Sequence, residues 1–389
     1  FLHSVLKSSR MPTLSDITSL AKRRGFFFPG SDIYGGLANT WDYGPLGVEL
    51  KRKIKDLWWG KFVTHRPDMI GLDSSVISSS KVWEASGHLS SFADAMVDCK
   101  TCRSRTRADH LIEDAQGIKV EGQSLVELSK IIQDNKIACP SCGSKDLTDA
   151  RSFNLLFPVH LGILAQSGDL AYLRGETAQG IFINFKNILD STRLRLPFGV
   201  GQLGKSFRNE ITKGQATFRT LEFEQAEIEY FFNPQESNWE ELYESWLTAM
   251  KNFVTDTLGI KAENLRTREH DDQERSFYSK RTVDLEYNYP FGFKELWGLA
   301  YRTDYDLTQH IKHSGKDLTY TDPMTNQKFV PHVIEPAVGI DRLVLMVICD
   351  AYWEDTLNKR VVLKLTPSLA PYTVAVFPLL RNNTELVGR

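Results

Sequence analysis

Between Phe207 and Phe232 the chain reads FRNEITKGQATFRTLEFEQAEIEYFF, which sets two arginines, aromatic rings and several glutamates at short spacing. Arginine forks match phosphate oxygens bidentately, an aromatic face can stack on a purine, and a carboxylate can hold an amine. Together these residue types describe a site for a nucleotide and a small cation. The pattern predicts two antiparallel strands joined by a polar loop: a run ending near Glu210, a turn at Lys213 and Gly214, and a second run from Phe218 onward. Because side chains alternate along a strand, Arg208 and Glu210 share a face of the first strand, and Arg219, Phe223 and Glu227 share a face of the second. The alternative for the same residues is a solvated, salt-bridged hairpin.

Two cysteine pairs, Cys99-x-x-Cys102 and Cys139-Pro-Ser-Cys142, form the second set. A CxxC turn sets two thiolates at tetrahedral spacing, and a second such turn closes a four-sulfur zinc knuckle. Four thiolates leave no open position for water, so such a zinc is structural; two pairs of free thiols are the alternative. Ser124-x-x-Glu127 between the pairs is a capping box opening a helix with Leu125, Leu128, Ile131 and Ile132 inward, which makes 98–150 a small inserted module. The fifth cysteine, Cys349, lies in an apolar helix and reads as a core thiol. This usage fits metal binding in a reducing compartment better than a disulfide framework. His270 and Glu274 stand four apart but lack the second histidine of a zincin helix, so no metal is assigned there.

The totals bound what surrounds these residues. A chain of 389 residues can bury a substantial core, and 41% hydrophobic with 25% charged residues excludes wholesale disorder. The longest apolar runs, such as Leu343 to Cys349, are too short to span a bilayer. A formal charge of −2 excludes a global basic field, so any nucleic-acid contact is local.

Helical periodicity covers Leu14–Arg24, with Ser15 as N-cap and Gly25 as stop, and Val48–Phe62, with Leu50, Ile54, Leu57 and Trp58 on one side. A helix and an apolar strand fill 181–206. Asn238–Leu258 is amphipathic, with Trp239, Leu242, Trp246, Met250 and Phe253 on a core stripe. Thr282–Tyr289 and Glu295–Tyr301 alternate as strands. Val330–Met346, VPHVIEPAVGIDRLVLM, reads as a strand, a break at Pro336 and a buried helix. Within that helix Asp341 and Arg342 need partners other than each other, because adjacent helical residues do not face one another. An Arg342 aimed at a phosphate satisfies this.

FRNEI, a loop and FRTLEFEQAEIE closely resemble motif 2 of the class II aminoacyl-tRNA synthetases, in the form found in the bacterial-type, homodimeric glycyl-tRNA synthetases. The resemblance runs from about Ile17 to Leu380. It includes LRGETAQG at Leu173–Gly180, a motif 1 helix that builds the dimer interface in that family, and a motif 3 at HVIEPAVGIDR. It implies an α+β fold: an antiparallel sheet flanked by helices with a small zinc-ribbon-like insertion. The divisions expected are a leader at 1–10, a catalytic domain at 11–366 carrying the insertion at 98–150, and the start of an α/β anticodon-binding domain at 367–389 that begins a new strand and is cut short. The leader FLHSVLKSSR has no acidic residue; it is an artificially added segment, upstream readthrough or the end of an organellar transit peptide. The compartment implied is the cytoplasm, or an organelle in the last case.

The resemblance also implies substrates and roles. ATP is held by Arg208, Asn209, Glu210, Phe218, Arg219, Thr220, Leu221, Glu222 and Phe223, by Glu295 and Leu296, and by Gly339, Ile340, Asp341 and Arg342. Arg208 clamps the α-phosphate, and Arg219 and Arg342 hold the β- and γ-phosphates with Mg²⁺ near Glu295; Arg208 and Arg342 count as catalytic. Phe223 stacks on adenine. Glycine is met by Arg107, Glu176, the run Phe223, Glu224, Gln225, Ala226 and Glu227, and the run Glu335, Pro336, Ala337, Val338 and Gly339. The family usually has serine at the position of Ala337, so one pocket hydroxyl is absent. The activity implied is attachment of glycine to tRNA(Gly) through a glycyl-adenylate by a homodimer with structural zinc. Two other readings are a non-catalytic synthetase-like subunit, such as the accessory subunit of mitochondrial DNA polymerase, and a class II synthetase for another amino acid such as threonine or serine. Retention of Arg208, Glu210, Arg219 and Arg342 argues against the first, and the insertion with RGETAQG and HVIEP against the second.

Overall fold

A capping box starts the first helix, α1 (Leu14–Arg24), at Thr13 and not at Ser15. The Thr13 hydroxyl accepts the Asp16 N–H at 3.2 Å while Asp16 returns to the Thr13 N–H at 2.9 Å. Thr13 wins because it stands three residues ahead of an acid. Gly25, at φ 73°, ends the helix in the left-handed region. The computed structural model describes residues 12–377 apart from 121, 163–169, 212, 213, 273 and 277, together with 379, 382 and 385. The expected leader and the Lys213 turn residue lie outside them.

Helix α2 (Pro45–Trp59) has proline at its start, where the missing N–H costs nothing, and widens into a π-turn at Gly60–Thr64. It buries Gly47, Leu50, Ile54 and Trp58. A Cβ at Gly47 would fall 1.7 Å from the Phe26 carbonyl oxygen, so only glycine permits this approach.

Strand β1 (Met69–Gly71) follows, and then the small module: β2 (Ala93–Asp98), β3 (Arg105–Arg107), α3 (Ala108–Gln116), α4 (Leu125–Asp134) and β4 (Arg151–Asn154). Its sheet runs in the order β3-β2-β4, and it has an apolar cluster of its own containing Val97, Ile112, Leu128 and Ile132. The Ser124–Glu127 capping box opens α4 as the spacing requires. Leu125, expected inward, is exposed, because the first turn projects beyond the module's small core.

The main body continues through α5 (Ala178–Thr192), β5 (Phe198–Phe207), β6 (Glu222–Phe232), α6 (Trp239–Asn252), β7 (Leu265–Glu269), β8 (Arg281–Tyr289), β9 (Gly292–Thr303), α7 (Tyr305–Ser314), β10 (His332–Gly339) and α8 (Ile340–Ala351). Seven strands form one sheet in the order β7-β8-β9-β10-β6-β5-β1, antiparallel throughout except for the β5–β1 pair. One face packs through Ala226, Ile228 and Tyr230 against α2, α6 and α8. The other is covered at one end, where Phe198, Phe231 and Val333 meet α5 and α7. At the opposite end of that face lies a cavity of about 280 Å³.

Three expectations change. The strands stop at Phe207 and begin at Glu222, so Arg208, Glu210 and Arg219 sit on connecting segments, the last just after a 3₁₀ turn at Ala216–Phe218. Pro336 lies inside β10 and the helix starts only at Ile340. A central strand tolerates this proline because the ladder to β6 skips from Ala337↔Glu227 to Ile334↔Tyr230, leaving no N–H required there. Finally, no strand follows Leu363 among the described residues; Val374, Val376 and Phe377 are exposed with no partner to pair against. No helix among the described residues is long and apolar enough to cross a membrane.

Candidate active site

Three guanidiniums from separate segments reach the cavity: Arg208 beyond the end of β5, Arg219 before β6, and Arg342 in the first turn of α8. Arg208 donates through Nε to the Gly175 carbonyl at 2.9 Å and lies 5.0 and 5.2 Å from the rings of Phe92 and Phe223. Arg219 stands 3.9 Å from Glu210. Arg342 pairs with the Glu295 carboxylate at 3.1 Å, donates to the Glu295 and Phe218 carbonyls at 3.0 and 3.3 Å, and covers the Phe218 ring at 4.3 Å. Arg342 beside it holds the Glu295 carboxyl below its ordinary range.

The strand β6 supplies a row along the same wall. Phe223, Gln225 and Glu227 alternate toward the cavity, and Glu229 continues the row to a fully buried position where neither carboxylate oxygen has a hydrogen-bond partner among the described residues. Thr217, Thr220, Ala337, Val338, Gly339 and Asp341 line the remaining walls with Phe218 and Glu210.

At the floor, acids outnumber bases. Glu176, Glu227, Glu229, Asp306 and Glu335 are buried around Arg302, itself 1% exposed. Arg302 contacts Asp306 through two bonds of 2.8 Å, Glu335 at 2.9 Å and Glu176 at 3.8 Å, and its guanidinium lies 3.9 Å from the Tyr278 ring. The Thr177 N–H donates to Glu227 at 2.8 Å at the start of α5, where the helix dipole favours an anion, and the Thr177 hydroxyl also bonds that carboxylate. Gln179 donates to Glu176 at 3.0 Å and Asp306 at 2.9 Å. His88 lies 3.1 Å from Glu176.

Burial, reinforced by Glu176, pushes Glu227 up to about 7. Burial, with Glu227 and Glu176 adding to it against the pull of Arg302, pushes Glu335 up to about 8. Burial also drives Glu229 well above the carboxylate range. Glu176 moves the other way, since His88 and Arg302 outweigh its burial. A small cation entering this floor would satisfy carboxylates that the protein leaves with one guanidinium.

Several residues named from the sequence stand elsewhere. Arg107 holds Asp109 at 2.5 and 3.0 Å and Asp94 at 2.8 Å, outside the lining; two nearby acids claim its fork. Glu224 points to the opposite side of β6, toward Lys51 and Lys55. Ala226, Leu296 and Ile340 are fully buried in the main core, and Pro336 is buried in the sheet. Glu222 pairs with Lys205 at the surface, while Asn209 and Leu221 donate their N–H groups to the carbonyls of Leu155 and Asn39. A contiguous stretch contributes alternate residues, so about half of each run faces away. Conversely, Arg302, Asp306, Gln179 and Tyr278 were not foreseen. The one available signal was an arginine closing the apolar strand of β9 with an aspartate four residues on.

In the small module, one sulfur from each of Cys99, Cys102, Cys139 and Cys142 lies within 4.8 Å of every other, with Cys99–Cys142 at 3.6 Å and Cys102–Cys139 at 3.7 Å. A tetrahedron with metal–sulfur bonds of about 2.3 Å has edges of roughly 3.8 Å, so the donor set fits zinc. It is the only such cluster among the described residues; His270 bonds Asp284 at 2.8 Å instead.

The family model described as "tRNA synthetase class II core domain (G, H, P, S and T)" matches residues 164–351, and "Glycyl-tRNA synthetase insertion domain 1" matches 117–155. Similar relatives include the glycine–tRNA ligases of Caldanaerobacter subterraneus subsp. tengcongensis (51% identical, covering 96% of this chain and 82% of the relative), Alkaliphilus oremlandii (53%, 94% and 80%) and Geobacillus thermodenitrificans (52%, 94% and 80%).

Proposed function

This chain belongs to the glycine–tRNA ligases, and on that premise we propose that its cavity attaches glycine to tRNA(Gly) at the expense of ATP, through a glycyl-adenylate. The observation that carries the reading is one cavity with three guanidiniums at its upper walls and a buried excess of carboxylates at its floor. A carboxylate oxygen of glycine attacks the α-phosphorus of ATP, the bond to the β-phosphate breaks, and pyrophosphate leaves. The terminal adenosine hydroxyl of tRNA then attacks the glycyl carbonyl and AMP departs. Such chemistry needs positioning and charge neutralisation more than covalent help from protein.

Arg208 takes the α-phosphate, where charge develops, and Arg219 and Arg342 take the outer phosphates. Phe223 stacks on adenine, with Glu210 near its edge. Glu295, with Asp284 on the same wall, offers the oxygen donors that suit Mg²⁺, which when bound neutralises phosphate charge. Glu176, Glu227 and Glu335 hold the glycine ammonium; Arg302 fixes Glu176 and Glu335, and Thr177 fixes Glu227. A floor this crowded excludes larger side chains by steric conflict. The four-cysteine cluster holds a structural zinc that ties the two turns of the insertion together.

Two copies pairing about α2 and the neighbouring loop fit the reading, since Ile33 and Tyr34 are each 87% exposed beside it. Free cysteines agree with a cytoplasmic setting. The test is glycine-dependent ATP–pyrophosphate exchange. Arg208→Ala is expected to lower the rate on the order of 10²–10³-fold with an unchanged circular-dichroism spectrum. Exchange at the wild-type rate would overturn the assignment of Arg208.

A further inference from the structure

Behind the wall that carries Phe223 and Arg342 lies a buried polar cluster that meets the cavity only through Asp341. Asp341, in the first turn of α8, accepts the Tyr43 hydroxyl at 2.5 Å, the Lys51 ammonium at 2.7 Å and the backbone N–H of Glu224 at 2.6 Å. Lys51 also pairs with Glu224 at 3.1 Å and lies 4.3 Å from the centre of the Tyr43 ring. The side chains of Lys51, Glu224 and Asp341 are 13, 12 and 7% exposed. Lys55, one turn further along α2, bonds Glu224 alone. A second cavity of about 320 Å³ adjoins this cluster and shares Thr217, Thr220, Phe223 and Asp341 with the first.

The chain connectivity makes this cluster consequential. Glu224 follows Phe223 directly, and Asp341 precedes Arg342 directly. Whatever fixes the Glu224 and Asp341 backbones fixes the ring and the guanidinium projecting to the other side. Their two segments are joined by the Glu224 N–H bond to Asp341, and Lys51 bridges both carboxylates while Lys55 supplies Glu224 with a second cation. Burial alone would lower the Lys51 pKa, but Asp341 and Glu224 raise it, so the residue is a charged ammonium throughout the neutral range.

We propose that Lys51 is a positioning residue for the nucleotide: from α2 it sets the separation between the Phe223 ring and the Arg342 guanidinium without touching ATP. This rests on the assignment of that wall to ATP. The carboxylates at the floor are held independently, by Arg302 and the start of α5, so loss of Lys51 acts on one substrate and not the other.

The experiment is glycine-dependent exchange with full-length Lys51→Met, Lys51→Arg and Lys55→Met. Lys51→Met is expected to raise the KM for ATP at least tenfold while the KM for glycine stays within twofold. Lys51→Arg recovers most of the loss, and Lys55→Met moves the KM for ATP less than threefold. Should Lys51→Met not fold, Lys51→Met with Asp341→Asn removes the buried charge that loses its cation, Glu224 keeping Lys55, and carries the same expectation. An unchanged KM for ATP, or equal rises for both substrates, overturns the proposal. Wild-type protein without glycine-dependent exchange overturns the functional reading itself, so the two failures are distinct.

Discussion

The Arg302 guanidinium lies 2.9 Å from the Glu335 carboxylate at the floor of the cavity, both buried. Glu176 and Asp306 share the same cation, and Glu227 and Glu229 lie in its field. Removing one member of a buried ionic set leaves the rest uncompensated, at a cost of about 3–5 kcal/mol. Arg302→Met should therefore lower unfolding free energy by that amount in urea titration, a loss far beyond that of a surface arginine.

The same floor predicts a pH dependence with a definite sign. Glu227 and Glu335, pushed up to about 7 and about 8, carry negative charge only when pH rises through those values. An ammonium is held by the charged forms, so the KM for glycine should rise as pH is lowered from about 8.5 to 6. Steady-state exchange across that range checks it, and Glu227→Gln should flatten the lower part of the profile.

Ala337 lines the cavity opposite Glu227 on the adjoining strand. A hydroxyl placed there adds a hydrogen bond worth about 0.5–1.5 kcal/mol. Ala337→Ser should lower the KM for glycine by roughly 2- to 10-fold, with the KM for ATP unchanged.

For the sulfur cluster, elemental analysis should find one zinc per chain. Cys139→Ser should abolish it and release the module's structure, read as new protease sites within 98–150. The seven-stranded sheet, which has a separate core, should keep its thermal transition.

Local signals carried much of this fold. The capping box at Ser124, the glycine stop at Gly25 and the alternation of Phe223, Gln225 and Glu227 all reflect contacts within a few residues, and such contacts are written in the sequence. Arg208 and Arg219 reach the cavity, yet from connecting segments and not from paired strands. Where partners come from distant elements, the sequence was silent. Arg302 owes its place to acids on α7 and β10 and on the segment before α5, and nothing near Arg302 except Asp306 announces them. Arg107 shows the converse, because Asp94 and Asp109 take a fork that looked free.

The bare Cα of Gly47 has an effect well beyond its own turn. One turn later on the same helix stands Lys51, so any substituent at position 47 would lift α2 from the Phe26 carbonyl and carry the ammonium away from Asp341 and Glu224. A glycine with no part in catalysis thereby limits how the reaction centre can drift during evolution. Because the obstructing atoms belong to the Phe26 backbone, which no change of side chain removes, larger residues there should not be tolerated.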